Sequence, residues 1–182
     1  DALVSDFISA ARELEAEGCK AITTCCGYAI AYQKQVAEAI DVPFFASIYN
    51  LVPLIHSMLG KDKVIGLFHY KYSDVGDKTF RQAGWSKQDI PIARTWPADG
   101  ALYTRMIDEH LTEVDRDVLE TEVREMTRRF VKEQPNLGAI VLICTNFGHF
   151  SHIIQEEAGV PVFGMAEYAD FIAAAVAVKP RY

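Results

Sequence analysis

The chain has 182 residues and a mass of 20.3 kDa, is 50% apolar and 24% charged, and these globular proportions exclude a disordered or collagen-like chain. Its 18 basic and 25 acidic side chains give a net charge of −7 and a pI near 5.2. That balance argues against nucleic acid or an anionic membrane as the main partner, since both require clustered Lys and Arg. No apolar run approaches the roughly 20 residues of a membrane helix. Four irregularly spaced cysteines suit a reducing, cytoplasmic setting better than a disulfide scaffold. The chain opens at Asp1 rather than Met, with no signal-peptide pattern, so earlier residues are expected to have been removed or not included.

In chain order, Leu3, Phe7, Ala10 and Leu14 have helical spacing, predicting a helix over 2–17 that stops at Gly18. A short strand, Ala21-Ile22-Thr23-Thr24, leads into Cys25-Cys26-Gly27. A second helix carries Ala29, Tyr32, Val36 and Ile40, and Asp41-Val42-Pro43 separates it from a strand at Phe44-Phe45-Ala46-Ser47. A helix over 51–59, a strand over 63–68, a helix near 73–83, a strand near 90–95 and a helix near 99–110 follow. Residues 113–133 form the clearest helix: Leu119, Val123, Met126 and Phe130 share one face, and Glu120–Arg124 and Glu125–Arg129 are spaced as i,i+4 pairs. Ala139-Ile140-Val141-Leu142-Ile143 is apolar throughout, as in a parallel strand buried on both faces. A helix over 149–158, a strand over 160–164 and a helix over 166–178 complete an α/β pattern.

A shift of 118 residues superposes two blocks. Ala21, Ile22, Cys26, Glu38, Val42, Pro43 and Phe45 meet Ala139, Ile140, Cys144, Glu156, Val160, Pro161 and Phe163. General βαβ similarity explains apolar strands and a Val-Pro entry, but not a cysteine at the same strand-to-helix junction in both blocks. The repeat predicts two pseudo-symmetric lobes, each a parallel sheet flanked by helices: 1–60 plus 166–182, and 61–165. The first block has two strands where the second has about four, so the first lobe is expected to lack its N-terminal strand or strands.

Cys26 and Cys144 each end a predicted parallel strand and precede a helix, the sheet edge at which α/β proteins bind ligands. A helix N-terminus there favours a carboxylate and lowers a thiol's pKa. Two thiols across a cleft serve as base and acid on opposite faces of one carbon, inverting a stereocentre without a cofactor. Cys19 reads as a core residue, and strand alternation points Cys25 away from Cys26. Cys25-Cys26 lacks C-x-x-C spacing, and no metal site is expected.

Ala21-Ile22-Thr23-Thr24-Cys25-Cys26-Gly27-Tyr28 and Leu142-Ile143-Cys144-Thr145-Asn146 resemble the two cysteine motifs of the aspartate/glutamate racemase superfamily. That group also holds hydantoin racemases, maleate cis-trans isomerases and arylmalonate decarboxylases. Val42-Pro43-Phe44-Phe45-Ala46-Ser47 and Val160-Pro161-Val162-Phe163 match the strands after those motifs. The resemblance spans about residues 8–175 and implies an enzyme independent of pyridoxal phosphate, with one catalytic cysteine from each of two similar α/β domains. Gly27-Tyr28 replaces the Asn-Thr that follows the first cysteine in the amino-acid racemases. Ile143 replaces a Gly, and Asn146 an acidic residue or His. These departures leave the two thiols in place and weaken the case for aspartate or glutamate as substrate.

The resulting expectation is a cofactor-independent racemase or epimerase acting on an amino acid or related small carboxylate, with Cys26 and Cys144 transferring the proton. Thr24, Gly27, Ser47, Asn50, His69, Tyr70, Thr145 and Asn146 are the candidate substrate-binding residues. The first two and last two also read as helix caps at βα turns, and His69 as structural. His149 and His152 read as surface residues. The alternatives are a decarboxylase or cis-trans isomerase of small dicarboxylates on the same scaffold, and a non-catalytic small-acid-binding or thiol-sensing domain. No nucleic-acid or membrane partner is expected, and assembly into a homo-oligomer stays open.

Overall fold

Two parallel sheets order the chain in the computed structural model, which describes residues 2–71 and 75–177. Helix α1 (Ala2–Ala16) ends where Gly18 adopts φ +95°, the left-handed conformation that closes helices. Strand β1 (Ile22–Thr23) runs into a 3₁₀ turn (Gly27–Tyr32) and the short α2 (Gln33–Ala37). The helix predicted around Ala29–Ile40 is therefore split. Its break serves the sheet: the Gln33 side chain donates to the Phe44 carbonyl and accepts from the Ala46 N–H, locking the turn onto β2 (Phe44–Phe45). A second 3₁₀ turn (Ile48–Leu51) leads into α3 (Val52–Met58).

The second sheet has the order β4-β3-β5-β6, all parallel, built from β3 (Val64–Phe68), β4 (Ile92–Thr95), β5 (Leu137–Leu142) and β6 (Val162–Phe163). Helix α4 (Asp77–Phe80) and a 3₁₀ turn (Arg81–Ala83) hold much of the helix predicted near 73–83, whose residues 73 and 74 lie outside the described ones. Helix α5 spans Leu102–Asp108. Helix α6 (Arg116–Glu133) starts later than predicted because the Asp115 carboxylate accepts from the Asp117 and Val118 N–H groups. The exposed pairing also differs. Glu120 pairs with Arg116 rather than Arg124, and Arg124 reaches across to Glu156 and Glu157 of α7 (Ser151–Ala158), because α7 packs against that side of α6. Helix α8 (Met165–Val176) ends the described chain and sets Tyr168 edge-on to Phe45, 5.7 Å between ring centroids.

The repeat holds residue for residue. The turn Thr145–Phe150, the start of α7 at Ser151 and strand β6 stand 118 residues after the turn Gly27–Tyr32, the start of α2 at Gln33 and strand β2. Among the described residues, the first sheet has β1 and β2, paired Ile22 to Phe44. Strand β5 is buried on both faces, as its unbroken apolar run predicts. Ala139, Val141 and Ile143 join a core with Ile22, Ile30 and Tyr49, and Ile140 and Leu142 join a second core under α5, α6 and α7. Among the described residues, no helix is long and apolar enough to cross a membrane.

Gly66 of β3 lets α6 close on the sheet: a Cβ there would stand 2.7 Å from the Phe130 ring and 3.1 Å from Leu137. Gly66→Val is expected to destabilise the fold by about 1–3 kcal/mol through overpacking, read as a lower denaturant midpoint at unchanged slope.

Candidate active site

Both predicted cysteines stand at equivalent points, each as the extended residue just before a 3₁₀ turn: Cys26 at φ −116°, ψ 122° and Cys144 at φ −83°, ψ 118°. Their backbones meet in a single antiparallel β-bridge between the two halves of the repeat. Opposed residues of such a pair have Cα atoms about 4.5–5.5 Å apart and project side chains to one face, and both cysteines line the same cavity of about 240 Å³.

Gly27 makes this approach close. A Cβ at that position would lie 2.9 Å from the Ile143 carbonyl oxygen and collide with the Ile143 side chain. The oxygen belongs to the backbone of β5's end and cannot rotate away, so any larger residue must push the bridge apart.

The cavity gathers Gly27, His69, Tyr70, Thr145 and Asn146 of the predicted substrate-binding residues. Thr24, Ser47 and Asn50 do not line it; they build the turns beneath. The Thr24 hydroxyl donates to the Ala46 carbonyl at 2.7 Å, and Ser47 and Asn50 form a capping box on the turn Ile48–Leu51. Cys25, Tyr28, Ile107 and Ile143 line the cavity as well. Strand alternation failed for Cys25 because β1 ends at Thr23, two residues earlier.

Tyr103 escaped the sequence reading. It is fully buried, stacks on Phe147 at 4.3 Å between centroids, and places its hydroxyl 3.6 Å from Cys144 Sγ. Nothing in the sequence marks it, since the contact spans 41 residues. The Cys144 thiol is pushed up by burial and further by Cys26, against the pull of the Tyr103 hydroxyl and the Asn146 and Phe147 backbone N–H groups. The expected lowering at a helix start is thus outweighed at Cys144 by desolvation, and the thiol stays protonated at neutral pH. Burial likewise holds the Tyr103 phenol protonated.

His69 is 2% exposed, with Nε2 3.4 Å from the Tyr49 hydroxyl. Its Nδ1 has no hydrogen-bond partner among the described residues. Burial, helped by the Arg94 charge, lowers its pKa to about 4, so a neutral imidazole forms part of the cavity wall. Tyr49 in turn accepts the Trp85 indole N–H on its carbonyl at 3.1 Å. Among the described residues, the side chains lining the cavity include no carboxylate, ammonium or guanidinium.

The family pattern described as Asp/Glu/Hydantoin racemase matches residues 2–169. Among curated proteins, dimethylsulfoniopropionate lyase 5 of Emiliania huxleyi is 30% identical over 185 residues, which cover 95% of this chain and 37% of that protein. A dimethylsulfoniopropionate lyase of Durusdinium sp. clade D is 23% identical, covering 97% of this chain and 60% of that protein. The chain therefore spans between about two fifths and three fifths of these relatives' length. Among solved structures, an aspartate racemase homologue from Pyrococcus horikoshii superposes with a TM-score of 0.62 at 22% identity, covering 94% of this chain and 74% of that one. At that identity the likeness shows the fold.

The buried histidine has a consequence for stability. Its folded pKa of about 4 lies below the ordinary 6.5, so between those values the unfolded chain binds a proton that the folded chain refuses. Stability is complete above pH 6.5 and drains as pH falls through 4, by about 3 kcal/mol in total. Urea titrations at stepped pH are expected to show this loss, and His69→Gln to flatten the slope in that window.

Proposed function

This chain belongs to the Asp/Glu/hydantoin racemase family, and from that premise we propose that it is a cofactor-independent enzyme that moves a proton at the carbon next to a small carboxylate, as a racemase or epimerase does. The observation that carries this reading is the bridge that sets Cys26 opposite Cys144 on one cavity. The exposed Cys26, as thiolate, takes the proton from carbon. Cys144, kept protonated by burial, delivers its own proton to the other face, leaving a Cys26 thiol and a Cys144 thiolate; the return direction exchanges these roles. With no cationic side chain in the lining among the described residues, the carboxylate is held by the Thr145 hydroxyl, the Asn146 amide and backbone N–H groups. These donors also stabilise the enolate-like charge. The Tyr103 hydroxyl steadies Cys144 while it is anionic.

A second reading is favoured by the rings in the wall. Tyr28 and Tyr70 line a cavity that has no acidic side chain among the described residues. A substrate ammonium brings N–H donors that need acceptors, whereas a sulfonium has none and is satisfied by aromatic faces. With a sulfonium on the next carbon, the same proton abstraction ends in elimination. The thiolate takes the proton, the carbon–sulfur bond breaks, its electron pair leaves with the dialkyl sulfide, and an unsaturated carboxylate remains. The lyases among the relatives support including this outcome.

The test is α-proton exchange in deuterated water, followed by NMR over pooled amino acids, hydantoins, small dicarboxylates and a 3-sulfoniopropionate. Cysteine-dependent exchange with loss of optical activity supports racemisation, and sulfide release supports elimination. Cys26→Ser and Cys144→Ser are each expected to lower racemisation by about a hundredfold or more; full activity in both would overturn the two-thiol reading. Gly27→Ala, by spreading the bridge, is expected to lower the same rate with both thiols intact, while far-UV circular dichroism stays native.

A further inference from the structure

Helix α5 delivers Tyr103 to Cys144, yet little within the helix accounts for its placement. It has 7 residues, too few for an isolated helix to be stable in water. Its N-cap, Ala101, offers no side-chain acceptor to the first-turn N–H groups. The Thr104 hydroxyl reaches the Tyr70 carbonyl at 3.4 Å, a long bond. The Lys71–Asp108 ion pair, 3.1 Å apart, leaves both side chains about half exposed and so contributes little.

Helix α6 supplies what α5 lacks. Glu122 stands three residues after Leu119 and four before Met126, at the margin of the apolar face of α6. It is half-buried, where a carboxylate is costly unless its oxygens are hydrogen-bonded. Here Oε1 accepts from the Leu102 N–H at 2.8 Å and Oε2 from the Tyr103 N–H at 3.0 Å. The carboxylate takes the place of the missing cap and sets a negative charge at the positive end of α5. Its second bond falls on the very residue whose hydroxyl stands 3.6 Å from Cys144 Sγ. The Phe147 ring, 4.3 Å from the Tyr103 ring and 14° from parallel, fixes the plane in which that hydroxyl lies. Tyr103 is thus held at its backbone by one neighbour and along its ring by another.

We propose that Glu122 is a remote positioning residue for the Cys144 thiol: it seats Tyr103, and the Tyr103 hydroxyl in turn aims and holds the Cys144 sulfur. A cysteine side chain has three staggered rotamers. By donating to the sulfur, together with the Asn146 and Phe147 backbone N–H groups, Tyr103 selects among them and favours the anion that remains once the proton has left. The inference deepens the two-thiol reading and rests on it for its chemical role, but the seating of the thiol can be measured without any substrate. The titratable groups facing Cys144 are Tyr103 from α5, Cys26 across the bridge, and Cys25, Tyr28, His69 and Tyr70 around the shared cavity. Cys26, in that same cavity, serves as the internal reference.

The experiment measures initial rates of alkylation of Cys144 and Cys26 by iodoacetamide at pH 8, resolved by peptide mass spectrometry, with far-UV circular dichroism as the check on folding. Tyr103→Phe removes one oxygen and keeps the stacked ring. It is expected to lower the Cys144-to-Cys26 rate ratio about three- to tenfold, because the thiolate loses a donor and its population falls. Glu122→Gln has one amide oxygen for two N–H groups; it is expected to lower the ratio about twofold, and to add nothing in the Tyr103→Phe background. Glu122→Asp, too short to reach both N–H groups, repeats the measurement if the glutamine variant does not fold. A merely structural role has the opposite sign, since loosened packing admits water and reagent to Cys144 and raises the ratio. A ratio that rises or stays unchanged in Tyr103→Phe overturns the aiming of the thiol. A Glu122→Gln effect that persists in full in the Tyr103→Phe background overturns the relay through Tyr103. In the α-proton exchange assay, Tyr103→Phe is expected to lower kcat about tenfold with little change in KM, and an undiminished kcat overturns the part this seating plays in the reaction. A lowered alkylation ratio in a protein that exchanges no substrate supports the seating and overturns the two-thiol chemistry alone.

Discussion

The geometry of the candidate site depends on how closely the backbone at Gly27 approaches the end of β5. The Ile143 carbonyl oxygen stands 2.9 Å from where a side chain would begin, and only a residue without a Cβ lets Cys26 and Cys144 pair across the bridge. The two halves of the repeat are held at this distance from behind. Ala139, Val141 and Ile143 share one core with Ile22, Ile30 and Tyr49, so the bridge is the exposed margin of a packed interface. Apolar burial supplies the force that presses the halves together, and Gly27 sets where they stop.

Repetition provides equivalent places for the two thiols, and the surroundings make them unequal. Each cysteine precedes a 3₁₀ turn of the same length. Cys144, however, lies beneath Tyr103 and α5, where desolvation outweighs the hydrogen bonds offered to its anion, while Cys26 is exposed. The element responsible, α5, belongs to the stretch between β4 and α6, outside the blocks that the repeat relates. This helix thereby sets the burial of Cys144.

The wall opposite is equally particular. His69 sits neutral against Tyr49, whose ring meets those of Phe80 and Trp85 at tilted angles. A neutral imidazole adds no charge to compete with the thiols. Such a site distinguishes ligands by shape and by the hydrogen bonds they require.

The α/β class, the strand-to-helix position of both cysteines and the 118-residue offset were all legible in the sequence. They depend on local periodicity and on residue identity, which a linear chain displays directly. Gly27 could be named as a site residue, and so could Tyr70, Thr145 and Asn146, because each lies next to a strand end. The split of the Ala29–Ile40 helix, the placement of Thr24, Ser47 and Asn50 under the site, and the approach of Tyr103 to Cys144 were decided by the tertiary structure. Each arises from a contact between residues distant along the chain: Gln33 with β2, Thr24 with Ala46, Tyr103 with a thiol 41 residues later. Periodicity reports which face of an element is apolar; which neighbour that face meets, and how far its burial raises a thiol's pKa, is fixed only when the elements pack.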